Sequence, residues 1–237
     1  MEVTLDSIRD IKIYQSKTGY RFSVDSLLLS DFVNLKTVRN IADLGSGSGV
    51  VGILIAKKYP KAKVDLFELQ TALVDLSEKN ICINNLKDRM QALQCDIRTL
   101  PALYPGLSEY ELAVSNPPFR KPKSGRLNVE EERAIARHEL RLSLSELVAA
   151  AYSLLKAKGR FCIIYHPCRL SELIETLKKK NLEPKRLRFV HSTRLSEAKM
   201  ALVEAVKGGR TGLKVENPLF LYNEDGSYTE EMLEIYG

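Results

Sequence analysis

Asn40-Ile41-Ala42-Asp43-Leu44-Gly45-Ser46-Gly47-Ser48-Gly49-Val50-Val51-Gly52 contains a switch of hydrophobic periodicity. Asn40 to Leu44 is an apolar run of strand length. From Val50 to Tyr59 the apolar residues Val51, Leu54 and Ile55 recur at helical spacing. Three alternating glycines, Gly45, Gly47 and Gly49, fill the join. Glycine accepts positive φ and lets a ligand approach the backbone, and the first turn of the following helix carries N–H groups without intrahelical acceptors. Strand, glycine-rich turn and helix in this order predict the opening of a βαβ unit with a ligand site at the turn. Turns of this kind are common, so the pattern gains meaning from its surroundings.

The surroundings repeat the alternation. Strands are predicted at Val64 to Glu68, Met90 to Cys95 and Glu111 to Ser115, and a helix at Leu73 to Leu86 with Leu73, Leu76, Ile81 and Ile83. A helix from about Ser143 to Lys156, broken at Gly159, precedes a fifth strand at Arg160 to Tyr165. A helix at Arg169 to Lys180 and two strands near Arg186 to His191 and Lys199 to Val206 complete the series. Strands alternating with helices pair in parallel through right-handed crossovers. The expected fold is a doubly wound α/β domain, with a mostly parallel seven-stranded sheet and helices on both faces. Residues 1–38 form an N-terminal extension, a hairpin around Lys17-Thr18-Gly19 followed by an amphipathic helix from Asp25 to Asn34. Residues 39–237 form the main domain, ending in an irregular tail from Asn217 with a short helix near Thr229 to Ile235. Extension and tail are expected to pack on the sheet edges.

A chain of 237 residues can bury one large core. It has no apolar run of 18 residues, and its start lacks the basic region and apolar core of a signal peptide. A cytoplasmic location and no membrane partner are therefore expected. Cys82, Cys95, Cys162 and Cys168 form no C-x-x-C pair and read as free thiols. His166 and Cys168 stand two apart without a second pair, so no metal is expected.

The net charge of +6 matters less than its distribution. Lys178-Lys179-Lys180 ends a helix, where cations complement the dipole; Lys185-Arg186-Leu187-Arg188 follows it. Arg120, Lys121, Lys123 and Arg126 differ, because Pro122 and Gly125 interrupt them and exclude a helical pattern. They read as a basic loop placed to touch the phosphates of a polyanion.

Two carboxylates stand at further strand ends. Glu68 lies 25 positions after Asp43, where an acidic residue in such folds accepts the hydroxyls of a ribose. Asp96 follows the third strand and can accept from an adenine amino group. With the glycine turn they outline an adenosine-binding crevice at one edge of the sheet. The fourth strand ends in Asn116-Pro117-Pro118-Phe119. The prolines lack N–H groups and fix φ, so the chain leaves the sheet along a stiff path whose carbonyls can face a ligand. An amide followed by an aromatic ring suits a flat target bearing an amine, gripped at its edge and stacked on its face.

Asp43, the Gly-x-Gly-x-Gly turn, Glu68, Asp96 and Asn-Pro-Pro-Phe together resemble the class I methyltransferases, Rossmann-like enzymes that use S-adenosyl-L-methionine, over residues 38 to 206. The resemblance implies that Asp43 and Gly45 lie near the methionine part of the cofactor, Glu68 at its ribose and Asp96 at its adenine. Asn-Pro-Pro-Phe is similar to the signature of methyltransferases acting on adenine N6, other exocyclic amines and glutamine amides. This implies that Asn116 and Pro117 accept the N–H groups of the amine while Phe119 stacks on the target. Phe22-Ser23-Val24-Asp25-Ser26-Leu27-Leu28-Leu29, Ala136-Arg137-His138-Glu139 and Pro218-Leu219-Phe220-Leu221-Tyr222 resemble bacterial methyltransferases that modify adenine N6 beside the anticodon of valine tRNA. That likeness implies a wall near the cofactor formed by Phe22 and Asp25, with capping of a helix by Asp25 as the competing account. The aromatic residue is Phe where that signature often has Tyr. The expected activity is N6-adenine methylation of RNA, with tRNA or another structured RNA as partner. Glutamine N5-methylation of a protein and a non-catalytic RNA-binding module are the alternatives, and a dehydrogenase leaves Asn-Pro-Pro-Phe unexplained.

Overall fold

The computed structural model describes residues 3–16, 24–103, 109–117 and 142–237. The chain opens with a hairpin of β1 (Val3–Ile8) and β2 (Ile11–Ser16) that turns at Arg9 and Asp10, followed by α1 (Val24–Phe32). The sequence placed the hairpin turn at Lys17-Thr18-Gly19, which lies outside the described residues; the turn observed uses Arg9, a non-glycine residue at φ 51. Then come β3 (Asn40–Leu44), α2 (Val50–Lys58), β4 (Lys63–Glu68), α3 (Thr71–Ile83), β5 (Met90–Gln94), the single turn α4 (Leu100–Leu103) and β6 (Tyr110–Ser115). The second half holds α5 (Leu144–Leu154), β7 (Leu155–Tyr165), α6 (Leu170–Lys179), β8 (Leu182–His191), β9 (Ala198–Lys207), β10 (Lys214–Val215), β11 (Leu219–Phe220) and α7 (Glu230–Tyr236).

The principal strands lie in the order β5-β4-β3-β6-β7-β9-β8. The pairs from β5 to β7 are parallel, and β9 is antiparallel to both β7 and β8. Order reverses between β3 and β6, the place where ligands of open α/β sheets bind. The doubly wound fold is therefore present, with nine strands in this sheet among the described residues. The two beyond the expected seven are two-residue strands pairing in parallel with β8, β10 just before the tail and β11 within it. That tail does pack on a sheet edge, whereas β2 of the N-terminal hairpin is bound by side chains of α3.

Alternate residues along each strand feed two apolar layers. Ile41, Val64, Leu66, Leu112 and Val114 pack with α1, α2, α7 and the hairpin residues Ile11 and Ile13. Ala42, Leu44, Phe67, Ala113 and Phe161 pack on the opposite face with α5 and α6. Local signals set the helix ends. Ser143 and Glu146 form a reciprocal capping box on α5. The expected break between helix and strand at Gly159 is displaced: α5 ends at Leu154, and β7 absorbs residues 155–159 as an irregular stretch with Lys158 at φ 64 and a register shift against β6. No helix among the described residues is long and apolar enough to cross a membrane.

Candidate functional site

The carboxyl ends of β3, β4, β5 and β6 share one edge of the sheet. Asp43 pairs in register with Leu66 on one side and Val114 on the other, so Gly45, Glu68 and Asn116 each follow two residues beyond the same level. This places the glycine turn between the Glu68 carboxylate and the Asn116 amide. Ser115 Oγ donates to the Leu44 carbonyl at 2.7 Å and ties the end of β6 to the start of the turn. Gly45 N and Ser46 N both donate to the Phe67 carbonyl, at 2.9 and 3.1 Å.

The turn needs its glycines for two different reasons. Gly45, Gly47 and Gly49 have φ of 69, 60 and 81, values at which a side chain is strained. At Gly45 and Gly47 a Cβ would meet no atom within 4 Å, whereas at Gly49 it would lie 2.8 Å from Leu66 Cδ1. Gly49 is thus fixed by packing behind the turn. Space in front of Gly45 and Gly47 is open, as a ligand seat requires. Ser46 Oγ is buried beside that space and has no hydrogen-bond partner among the described residues.

Behind the turn stand two buried carboxylates. Asp43 is 1% exposed, and its Oδ2 accepts the Gly52 N–H at 2.9 Å. The first turn of α2 follows Gly49, which offers no side-chain cap, so Asp43 satisfies an otherwise orphaned helix donor from the neighbouring strand. Burial pushes the Asp43 carboxyl up from 3.8 to about 7, opposed by the Gly52 hydrogen bond and reinforced by the charge of Glu68. Glu68 accepts the Gly47 N–H through Oε2 at 3.0 Å and the Gln70 N–H through Oε1 at 2.9 Å, fastening the turn to the start of α3. An ionised carboxylate has about four lone-pair directions, so these two bonds leave it acceptor capacity.

Asp96 follows β5 and caps the next turn by accepting the Arg98 N–H at 3.0 Å. Its carboxylate is also gripped by the Arg98 guanidinium, with Nε at 2.8 Å, and this pairing holds its pKa below the usual range. An adenine amino group at Asp96 would share that carboxylate with Arg98.

On the other side of the turn, Asn116 is half-buried and Pro117 buried. The Asn116 amide nitrogen donates to Ser26 Oγ of α1 at 3.4 Å. Asp25 lies inside the first turn of α1, not before it, which removes the account of it as the helix cap. Phe22, Phe119, Arg120, Lys121, Lys123, Arg126, Arg137 and His138 lie outside the described residues.

Sequence reasoning missed the polar stripe of α3. Ser77 Oγ donates to the Gly47 carbonyl at 2.9 Å, and Asn80 Nδ2 donates to the Ser48 carbonyl at 2.9 Å. Both side chains are fully buried. Their spacing of three, followed by a spacing of four to Asn84 at the helix end, is the available signal, but a polar stripe on a helix ordinarily marks the solvent face. His166 Nδ1 lies 2.9 Å from Cys168 Sγ in the turn after β7. Among the described residues no group of three or more His, Cys, Asp or Glu is placed to hold a metal.

A family model described as "Methyltransferase small domain" matches residues 22–181. A relative from Flavobacteriaceae bacterium strain 3519-10, named tRNA1(Val) (adenine(37)-N6)-methyltransferase, is 28% identical over 152 residues, covering 64% of this chain and 62%, under two thirds, of its own. A relative of the same name from Aliivibrio salmonicida is 25% identical and is matched over 92% of this chain and 89% of its own. The crystal structure of a protein from Agrobacterium tumefaciens, described as a predicted O-methyltransferase, superposes with a TM-score of 0.72 at 20% identity, covering 90% of this chain and 95% of that one.

Proposed function

Because the chain belongs to the methyltransferase small-domain family, we propose that it methylates the exocyclic N6 of an adenine in RNA, with a tRNA as substrate near its anticodon. The observation that carries this reading is the placement of the Asn116 amide across the open glycine turn from the Glu68 carboxylate, at the point where strand order reverses. The names of the relatives supply the tRNA and the adenine.

S-adenosylmethionine is the cofactor, and it supplies an electrophilic methyl group whose bond to sulfur breaks as the target nitrogen bonds to it. The chain's own residues bind and orient. Gly45 and Gly47 leave room for the cofactor, Gly49 and Asp43 keep the turn in place, Glu68 accepts from the ribose and Asp96 from the adenine. Asp25 and Phe22 are assigned to the wall of the cofactor site. The lone pair of an exocyclic amine is delocalised into its ring. The Asn116 side-chain oxygen and the Pro117 carbonyl each accept one of its N–H groups, which favours a pyramidal nitrogen and aims its lone pair at the methyl carbon. Phe119 stacks on the target base, an interaction worth about 1 to 3 kcal/mol. Positioning supplies most of the acceleration. The methylated nitrogen is acidic while cationic and releases its proton to water, so no side-chain base is needed. Arg120, Lys121, Lys123 and Arg126 contact RNA phosphates beside the target.

Replacement of Asn116 by Ala tests the assignment. The turnover number is expected to fall at least about 100-fold, as when one preorganised transition-state contact is removed, while the dissociation constant for S-adenosylhomocysteine stays within about threefold. Undiminished turnover in Asn116→Ala would remove Asn116 from the mechanism. A protein glutamine N5-methyltransferase would use the same amide and is separated from the favoured reading by its acceptor; the basic residues that follow Phe119 in the sequence favour RNA.

A further inference from the structure

Asn80 lies in α3, three residues after Ser77, and is fully buried. It makes hydrogen bonds in two directions. Toward the cofactor turn, its Nδ2 donates to the Ser48 carbonyl at 2.9 Å. Toward the N-terminal hairpin, its Oδ1 accepts the Tyr14 N–H at 2.7 Å and its Nδ2 donates to the Tyr14 carbonyl at 3.1 Å. One side chain therefore joins the back of the glycine turn to the outer edge of β2. Asn84, one helical turn further, binds the same strand in the same way: its Oδ1 accepts the Lys12 N–H at 3.0 Å and its Nδ2 donates to the Lys12 carbonyl at 2.7 Å. Residues 12 and 14 present their amides on one strand edge, and residues 80 and 84 share one face of a helix. The two amides thus pair with β2 as a neighbouring strand would. Asn84 differs in one respect, for none of its hydrogen bonds reaches the glycine turn; its third goes to the Asn80 carbonyl.

We propose that Asn80 is a positioning residue for the cofactor turn and couples occupancy of the crevice to the N-terminal hairpin. The proposal rests on the reading of the crevice as an S-adenosylmethionine site. Gly47 and Ser48 are held from behind by Ser77 and Asn80, and Gly47 also from the side by Glu68. A ligand seated in front of Gly45 and Gly47 selects the turn conformation in which the Ser48 carbonyl points at Asn80. That fixes the amide which in turn accepts the Tyr14 N–H. By linkage, whatever the ligand does to the hairpin the hairpin does to the ligand. Two residues after Tyr14 the strand ends at Ser16, and the chain next described is α1, whose Ser26 contacts Asn116.

The test compares two matched substitutions with titration calorimetry, using S-adenosylhomocysteine as the probe. Asn80→Ala and Asn84→Ala both remove a side chain that brackets β2, so both are expected to lower the melting temperature. Only Asn80→Ala is expected to weaken binding, by roughly five- to tenfold, the lower range of couplings between sites; Asn84→Ala should stay within about twofold of wild type. A merely structural role for Asn80 would give two variants with equal affinity, and that result would overturn the proposal. Should Asn80→Ala fail to fold, amide hydrogen exchange of the unaltered protein decides. Saturation with S-adenosylhomocysteine should slow exchange of the Tyr14 N–H several-fold more than that of the Lys12 N–H, whose acceptor is Asn84. Equal change at both positions, or none, would overturn the coupling. Wild-type protein that binds no S-adenosylhomocysteine at all would instead refute the cofactor reading beneath it.

Discussion

Asp43 carries two demands at once. It closes the first turn of α2 by accepting the Gly52 N–H, and it does so fully buried beside a second carboxylate. Burial raises its pKa from 3.8 to about 7. A carboxyl whose folded pKa exceeds its unfolded value takes up a proton on folding between the two. Its contribution to stability is complete below about pH 3.8, declines as pH rises, and is exhausted above about pH 7. Asn keeps an oxygen for Gly52 and carries no charge. Between pH 5 and pH 8, wild type is therefore expected to lose roughly 1 to 3 kcal/mol of unfolding free energy relative to Asp43→Asn, measured by urea titration. Identical pH profiles would show that Asp43 is already ionised at pH 5. At this scale the sequence displayed which residues cluster but not how each is engaged. Glu68 and Asp96 were legible as acids at strand ends. That Glu68 binds the turn's own amides and Asp96 its neighbour Arg98 depends on side-chain geometry that spacing does not encode. Asn80 was invisible for the opposite reason, since polar residues on a helix suggest solvent, and here they meet the backbone of a strand.

At the junction of β3, α2 and β4, Gly52 has the closest neighbour of any glycine among the described residues. A Cβ on Gly52 would lie 2.3 Å from Leu66 Cδ2 and 3.2 Å from Asp43 Oδ2, so α2 can cross β4 at this distance only with glycine facing it. Gly52→Ala is expected to cost about 1 to 3 kcal/mol, the usual range for overpacking. Leu66→Val removes the opposing methyl groups. The double variant should therefore lose less than the sum of the two single losses in chemical denaturation, and strict additivity would mean that the strain is relieved elsewhere. The strand–turn–helix switch at residues 40–52 was readable because apolar periodicity changes from strand to helix across three glycines. The boundary at residues 154–160 was not. Glycine ordinarily ends a helix, but Gly159 lies inside β7, where a Cβ would come within 2.8 Å of the Lys156 carbonyl. There a bulge against β6 overrode the local signal. The turn between β1 and β2 went unread because it carries Arg9 and Asp10, with no glycine to mark it.

Across the whole molecule, the sheet order brings together residues far apart in the chain, and alternation of strands with helices foretold it. The antiparallel partner β9 and the small tail strands were less visible. Glu204, central in β9 and 1% exposed, is paired with Arg160 of β7 and Arg186 of β8, and Arg186 also reaches Glu216 and the Phe32 carbonyl. This charged junction links α1 and the segment leading into the tail to the sheet, and its partners come from four separate segments, a pairing no local pattern announces. The proposed function joins the open glycine turn, the Asn116 amide across from it and the basic residues that follow Phe119 in the sequence into one reaction. Its most direct test is incubation of the purified protein with isotopically labelled S-adenosylmethionine and total bacterial tRNA, with a release-factor peptide in parallel, followed by mass spectrometry of the digested products. The account predicts label in N6-methyladenosine from the tRNA, absent with Asn116→Ala. Label in glutamine of the peptide, or in no product while the cofactor binds, would contradict it.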